Sequence, residues 1–411
     1  MTEIGHIITY AALFTALFFE VFLLVSFLER RFGKTVHTPK SAKELALPRV
    51  AIVVPCFNEE NTVAGTLDSL LSLSYPHGKL EILVIDDGST DRTAEIAHKY
   101  ALDSRVRIYR KKNGGKHTAM NLALAKTDAE LIGCLDADSV VEASSLAMLA
   151  RPFENKNVAA ITPGIHVREP KTFLQHMQNV EYLLSVFNRF MFSALGSAFI
   201  TPGPFSIFRT SVVRELGGWR HGHSTEDMEM ALRIQAAGYL IGNAPSASVH
   251  TTTPHTLKAL FRQRVRWAYG FLRNAIDYRS MFINRMYGNL GMIILPAALI
   301  SIAVALFFFA RIFWYGAHTV AQTYARAQII GISFTPSFDL FYINTSAILF
   351  LIYVSILLIV VLISVGSLIS TGRRLPPSST PLFIIFYGFL VPLWLATAVV
   401  RAFFGTGVRW K

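Results

Sequence analysis

Arg49–Cys56 (RVAIVVPC) is a β-branched run that gives way to a polar turn, Phe57-Asn58-Glu59-Glu60. Apolar residues at helical spacing follow, Val63, Leu67, Leu70 and Leu71, and predict a helix through Leu73. The exchange then repeats. Leu80–Ile85 predicts a second strand, stopped by Asp86-Asp87-Gly88-Ser89; Thr90–Tyr100 a helix; Val106–Tyr109 a third strand. Asn113–Leu124 opens on two glycines and turns helical, and Leu131–Leu135 predicts a fourth strand ending at Asp136-Ala137-Asp138. Strands alternating with helices, with polar residues at the strand C-termini, form the doubly wound α/β pattern. In such sheets ligands bind beyond the carboxyl ends of the strands, which is where the Asp pairs fall.

A different pattern flanks this region. Ile7–Leu28, Asn289–Ala310, Ile343–Ser370 and Pro381–Val400 are each apolar over about the 20 residues that cross a bilayer. The predicted organisation is an N-terminal transmembrane helix (1–28), a soluble α/β domain (40–270), an amphipathic interfacial helix (271–288) and three transmembrane helices with short loops (289–411). No basic segment precedes Ile7 and no small-residue cleavage site follows Leu28, which argues against a signal peptide. Arg30, Arg31, Lys34, Lys40 and Lys43 come next, so the positive-inside rule places the domain in the cytoplasm. Arg373 and Arg374 agree with that orientation, while Arg409 and Lys411 fall on the opposite side.

Composition now reads as a consequence. Only 16% of the 411 residues are charged and 52% are hydrophobic, which excludes a disordered chain and a simple soluble enzyme. The formal charge of +12 is that of a basic protein. Its basic residues cluster beside the spans and on one helix rather than in a nucleic-acid-binding face, so no nucleic-acid partner is expected. Cys56 and Cys134 lie in apolar strand-like runs and are expected as reduced core residues.

Five polar elements carry candidate chemistry. Asp87, in D-D-G-S, can accept hydrogen bonds from a base or ribose, or can simply cap a turn. Asp136 and Asp138, one residue apart, suit a hard divalent cation that also takes diphosphate oxygens, or form an acidic turn. Glu226 and Asp227, in T-E-D ahead of the helical run Met228–Ala237, offer either a helix cap or a general base. Gln263, Arg266 and Trp267, in Q-R-V-R-W, offer sugar stacking and phosphate neutralisation, or a basic face on lipid headgroups. Gly203, in T-P-G-P-F-S, fits close approach of a carbohydrate or plain loop punctuation. Lys171–Ser193 reads as a long aromatic helix that packs in the core or on the membrane surface.

With D-D-G-S, D-A-D, T-E-D and Q-R-V-R-W in this order, residues 50–270 resemble family 2 glycosyltransferases, more narrowly the membrane-embedded synthases of cellulose, chitin, hyaluronan and poly-N-acetylglucosamine. The resemblance implies an α/β GT-A nucleotide-sugar domain inserted between transmembrane helices. It implies an inverting transfer from a UDP-sugar to a growing β-linked polysaccharide or oligosaccharide of N-acetylglucosamine or glucose type, coupled to export. The enzyme would be an integral, multi-pass protein of the plasma (inner) membrane. Phe57, Asn58, Glu59 and Asp87 would contact the uridine, and Lys116, in G-G-K-H-T, would face the nucleotide-sugar. Asp138 and Asp136 would hold Mg²⁺ or Mn²⁺, Asp227 would be the base with Glu226 beside it, and Gln263, Arg266 and Trp267 would bind acceptor and diphosphate. Four spans are few to enclose a sugar-conducting pore, so export implies a homodimer or a partner protein. Two alternatives remain: transfer of one sugar to a membrane lipid acceptor, as in ceramide-glucosyltransferase-like enzymes, and a non-enzymatic nucleotide-binding transporter or receptor. The last would not need Asp227, Gln263, Arg266 and Trp267 together.

Overall fold

The computed structural model describes residues 3–32, 47–330 and 346–405. Lys34, Lys40 and Lys43, the first residues of the expected domain, the start of the third span, and Arg409 and Lys411 lie outside the described residues. In chain order the long elements and strands are α1 (Glu3–Phe32), β1 (Val50–Cys56), α2 (Val63–Leu71), β2 (Leu80–Asp86), α3 (Thr93–His98), β3 (Val106–Arg110), α4 (Lys116–Lys126), β4 (Leu131–Cys134), β5 (Ser139–Val141), α5 (Ser145–Ala150), β6 (Val158–Val167), α6 (Phe173–Ala194), β7 (Ile207–Arg209), α7 (Thr210–Glu215), α8 (Glu226–Ala236), β8 (Leu240–Thr251), α9 (Leu257–Asp277), α10 (Leu295–Ile330), α11 (Ala347–Thr371) and α12 (Thr380–Phe404).

The eight strands form one sheet in the order β3-β2-β1-β4-β7-β6-β8-β5. The first four are parallel, as the alternating pattern predicts, with Val50 opposite Leu80 and Leu131. Beyond β4 the sheet becomes mixed: β7 runs antiparallel to β4 and β6, and β5 antiparallel to β8. The doubly wound pattern, read over the first four strands, does not extend into that half. β4 to β7 is not a βαβ step, because β5, α5, β6 and the long α6 intervene and return the chain in the opposite sense. Val50, Ile52, Val54 and Ile82, Val84 turn to one face with α2 and α5; Ala51, Val53, Leu83 and Ile85 turn to the other with α4 and α8. Both faces of the parallel half are therefore covered, which explains why β1 and β2 are apolar throughout.

Among the described residues four helices are long and apolar enough to cross a membrane: Gly5–Arg30, Leu290–Ile329, Ala347–Thr371 and Thr380–Phe404. Their domain-side ends are the C-terminus of α1, the start of α10, the C-terminus of α11 and the start of α12. Arg30 donates to the Ala194 carbonyl, Ser246 to that of Ile369 and Ser379 to that of His176, so three of these ends are tied to the domain. The separate interfacial helix expected over 271–288 is not formed. α9 runs on through Asp277, and the chain then makes short helical turns at Arg279–Met281 and Arg285–Tyr287. The residues after Asp277 include Ser280, Asn284 and Gly288, which favour turns over a continued helix.

α11 crosses α6 at Gly366, where an added Cβ would lie well inside van der Waals contact of the Leu183 carbonyl. Gly366→Val should therefore part the two helices and cost about 1–3 kcal/mol. A thermal unfolding midpoint in detergent equal to that of the native chain would contradict this.

Candidate active site

The loops at the carboxyl ends of β1, β2 and β4 build the site. After β1 the chain reverses through Asn58, held at φ +57°, where its amide donates to Ser89 Oγ at 3.0 Å and its Oδ1 accepts from the Thr90 amide at 2.9 Å. The Glu59 amide donates to Thr93 Oγ1 at 2.7 Å and its carboxylate accepts from Thr62 at 2.8 Å. Asn58 and Glu59 thus stitch the first loop to the one after β2, and Phe57 is left 40% exposed at the rim. Asp87 is buried. It accepts from Lys111 Nζ at 2.5 Å, Gly114 N at 3.1 Å and Gly115 N at 2.8 Å. Its carboxylate fixes the glycine loop that opens α4, a role the sequence did not suggest for it, and Lys111 went unnoticed there altogether.

A second group of charges lies deeper. Lys116, at the start of α4, ion-pairs with Asp136 and stands 3.7 Å from Glu226. Burial opposes its charge, but Asp136 and Glu226 outweigh that and hold the ammonium well above its ordinary pKa. Gly203 lies against this pair. A Cβ there would press on Lys116 Nζ and on the Asp136 carboxylate, so a larger residue would displace this pair. Asp138 accepts from Ser139 Oγ at 3.0 Å; burial first, and then Asp136, push its carboxyl up to about 6.

The N-terminus of α8 supplies Glu226 and Asp227. Its N-cap is Thr225, and Asp227 Oδ1 accepts from the next amide, Met228 N, at 2.8 Å. Burial, reinforced by Glu226 and opposed by Lys116 and Arg266, raises Asp227 to about 6. A small cavity opens among Lys116, Cys134, Thr201, Gly203, Glu226 and Asp227.

α9 closes the group. Gly270 is flat enough for α9 to lie directly on Thr225, and Asn274 donates to Thr225 Oγ1 at 2.9 Å. Arg266 then donates to the Ser224 carbonyl at 2.9 Å. Burial lowers its pKa, and Asp227, Glu226 and Asp136 work against that fall. Trp267 is 37% exposed and Gln263 accepts from Arg264 at 2.6 Å. The unforeseen residue is Arg264, only 4% exposed. It donates to Glu181 of α6 at 2.5 Å and lies 4.3 Å from the Trp267 ring centre, while Tyr387 of α12 donates to the same Glu181 oxygen at 2.9 Å. A carboxylate inside the aromatic stretch Lys171–Ser193 was the available signal, since an acid on such a helix requires a partner.

The sequence-derived residues therefore fall into two connected groups. Phe57, Asn58, Glu59 and Asp87 form the rim, and Lys116, Asp136, Asp138, Gly203, Glu226, Asp227 and Arg266 form the floor, with Gln263 and Trp267 on the adjoining helix. The Glu59 charge is felt at Asp138, which links rim to floor. Among the described residues no three His, Cys, Asp or Glu side chains converge as a complete metal cage. Two neighbouring carboxylates, one with a raised pKa, do fit a cation whose other ligands are diphosphate oxygens.

Residues 51–217 match the family model described as "Glycosyl transferase family 2". Over 225 residues the chain is 32% identical to the poly-beta-1,6-N-acetyl-D-glucosamine synthase of Staphylococcus epidermidis, covering 54% of each chain. Over 228 residues it is 31% identical to the synthase of that name from Staphylococcus aureus strain MSSA476, covering 54% of this chain and 55% of that one. The chain spans about half the length of the curated relatives it matches. Its fold is similar to that of a mannosyltransferase from Pyrobaculum calidifontis solved with GDP-mannose and Mn²⁺, at TM-score 0.64 and 20% identity, covering 99% of this chain and 100% of that chain. Residues 51–217 thus match a family 2 glycosyltransferase domain, and the fold is GT-A, flanked by helices able to span a membrane.

Proposed function

We propose that the chain is an inverting membrane glycosyltransferase that moves a sugar of N-acetylglucosamine or glucose type from a UDP-sugar to a hydroxyl of a growing β-linked saccharide. The observation that carries this reading is Asp227. It is a carboxylate with a raised pKa, fixed by the Met228 amide and facing the charges of Lys116 and Arg266. A sugar hydroxyl attacks poorly until its proton is taken, and a diphosphate leaves poorly until its charge is neutralised. The oxygen of Asp227 not held by Met228 receives the acceptor proton as the acceptor oxygen bonds to the anomeric carbon. The bond from that carbon to the diphosphate breaks on the opposite face, which inverts the configuration. Arg266 and Lys116 are the cations of this floor that would face the departing charge. Asp138 and Asp136 would hold Mg²⁺ or Mn²⁺, which supplies further neutralisation of the diphosphate when bound.

In this reading Phe57 and the Asn58–Asp87 loops receive the uridine, Trp267 and Gln263 receive the acceptor, and the catalytic face is cytoplasmic. A homodimer or a separate export partner would complete a path for a long product. The test is incubation of the membrane-reconstituted chain with a panel of labelled UDP-sugars and Mg²⁺, Mn²⁺ or chelator. Cation-dependent UDP release with labelled, detergent-insoluble or high-mass product is expected. Release of no UDP from any donor overturns the reading, and label confined to organic-extractable material moves it to a lipid acceptor.

A further inference from the structure

Gly222, His223 and Ser224 stand at φ +53°, +54° and +67°, three consecutive residues in the left-handed region. Glycine enters that region freely, but the Cβ of His223 and of Ser224 is crowded there, so the turn does not hold itself. Strain of this kind persists only where the surroundings over-determine it. It also lies at a sensitive place. The next residues are Thr225, the N-cap of α8, and then Glu226 and Asp227.

Three residues of α9 reach the turn. Asn274 is fully buried, and its Nδ2 donates to the Gly222 carbonyl at 3.2 Å and to Thr225 Oγ1 at 2.9 Å, besides the Gly270 carbonyl of its own helix at 3.0 Å. Its Oδ1 is buried without a donor. Turning the amide round would not cure that, because Nδ2 faces two carbonyl oxygens, which only accept. The chain leaves one buried acceptor unmet and keeps the amide hydrogens aimed at the turn. Arg266 donates to the Ser224 carbonyl at 2.9 Å, so the left-handed residues also aim its guanidinium. Asp277 bonds His223 Nε2 at 2.7 Å. It is the last residue of α9, where the helix macrodipole disfavours an acid, and His223 accounts for it. Both side chains of that pair keep solvent contact, so it holds less firmly than the buried amide.

The turn therefore fixes two groups at once, Asp227 through the chain and Arg266 through the Ser224 carbonyl. A base and a cation that serve one reacting centre must keep their spacing, and a shift of about 1 Å costs on the order of 10²-fold in rate. We propose that Asn274 is a positioning residue of the transfer, holding the left-handed turn so that Asp227 and Arg266 stay aligned on one reaction centre. Fully buried, Asn274 acts through the turn and not on substrate. This rests on the reading of Asp227 as the base and adds to it the residue that places the base.

The test measures kcat and donor KM of the full-length, membrane-reconstituted chain with the UDP-sugar of the panel that it turns over fastest. Asn274→Ala should lower kcat by about tenfold or more, while donor KM stays within about threefold because the rim loops are untouched. Adding Ser224→Gly should win back about threefold, more than the same change gains in the native chain, since glycine keeps a left-handed φ without the amide. A role confined to packing would lower the unfolding midpoint and show no such recovery. Asp277→Ala, at the exposed end of α9, loosens the turn without opening the core. Its kcat should fall about threefold with the same recovery, and it decides the matter if Asn274→Ala no longer binds UDP. Native kcat in Asn274→Ala, or no recovery by Ser224→Gly in either background, overturns the proposal. A native chain that releases UDP from no donor defeats the glycosyltransferase reading instead, and does so before any variant is made.

Discussion

Asp227→Asn should lower sugar transfer by about 10²–10⁴-fold, the usual contribution of a positioned general base, while UDP affinity stays within a few-fold. The amide keeps the shape of the carboxylate and its Met228 contact but cannot take the acceptor proton. The same group should set the acid limb of the rate. Its carboxyl is pushed up to about 6, so the base is ionised above that pH and progressively protonated below it. Transfer should fall tenfold per pH unit well below 6, and that limb should vanish from the residual rate of Asp227→Asn. A variant that keeps native transfer rates would remove Asp227 from the chemistry. Loss of UDP binding together with transfer would mean that the substitution had collapsed the floor.

Arg264→Met should be the most damaging change to stability. Removing the guanidinium leaves the Glu181 carboxylate with only the Tyr387 hydroxyl, in surroundings where breaking a buried pair costs about 3–5 kcal/mol. Glu181 retains some solvent contact, which favours the lower end. The unfolding midpoint in detergent should fall by several degrees, at about 2–4 °C per kcal/mol for a domain of this size. Glu181→Gln in the same chain should restore part of the loss, since no uncompensated charge remains. A second effect follows from the stack of Arg264 on Trp267: with the indole unsupported, the acceptor KM should rise more than kcat falls. Additive losses in the double variant, with no rescue, would show that the pair is not coupled.

These two residues also show how legible the molecule is in its sequence. Asp227 stands out as a candidate because it lies in a short motif before a helical run, and local spacing carries that kind of information. The parallel half of the sheet was found for the same reason, each strand being a short apolar run closed by a polar turn. Arg264 and Glu181 are 83 positions apart, and Tyr387 lies in a span read only as apolar filler. No local pattern reports such a partnership. The mixed half of the sheet was missed on similar grounds: β5 and β7 are three residues each, too short to show a period. Asp87 illustrates a third limit. Its position at a strand end makes it a candidate for the site, while the structure commits its carboxylate to Lys111 and two glycine amides. Which of several hydrogen-bonding tasks an acid performs depends on how a distant loop folds back over it.

α10 carries a consequence for how the molecule sits in its membrane. Its 36 residues extend about 54 Å, against about 30 Å of hydrocarbon. Arg311, midway along it, donates to the Gly5 carbonyl at 2.5 Å, at the end of α1 remote from the domain. With α1 and α10 crossing a bilayer side by side, the half of α10 after Arg311 would project past it like a mast. The exposed Tyr324 and Arg326 would then be carried away from the candidate site, to be addressed by reagents that need not reach it.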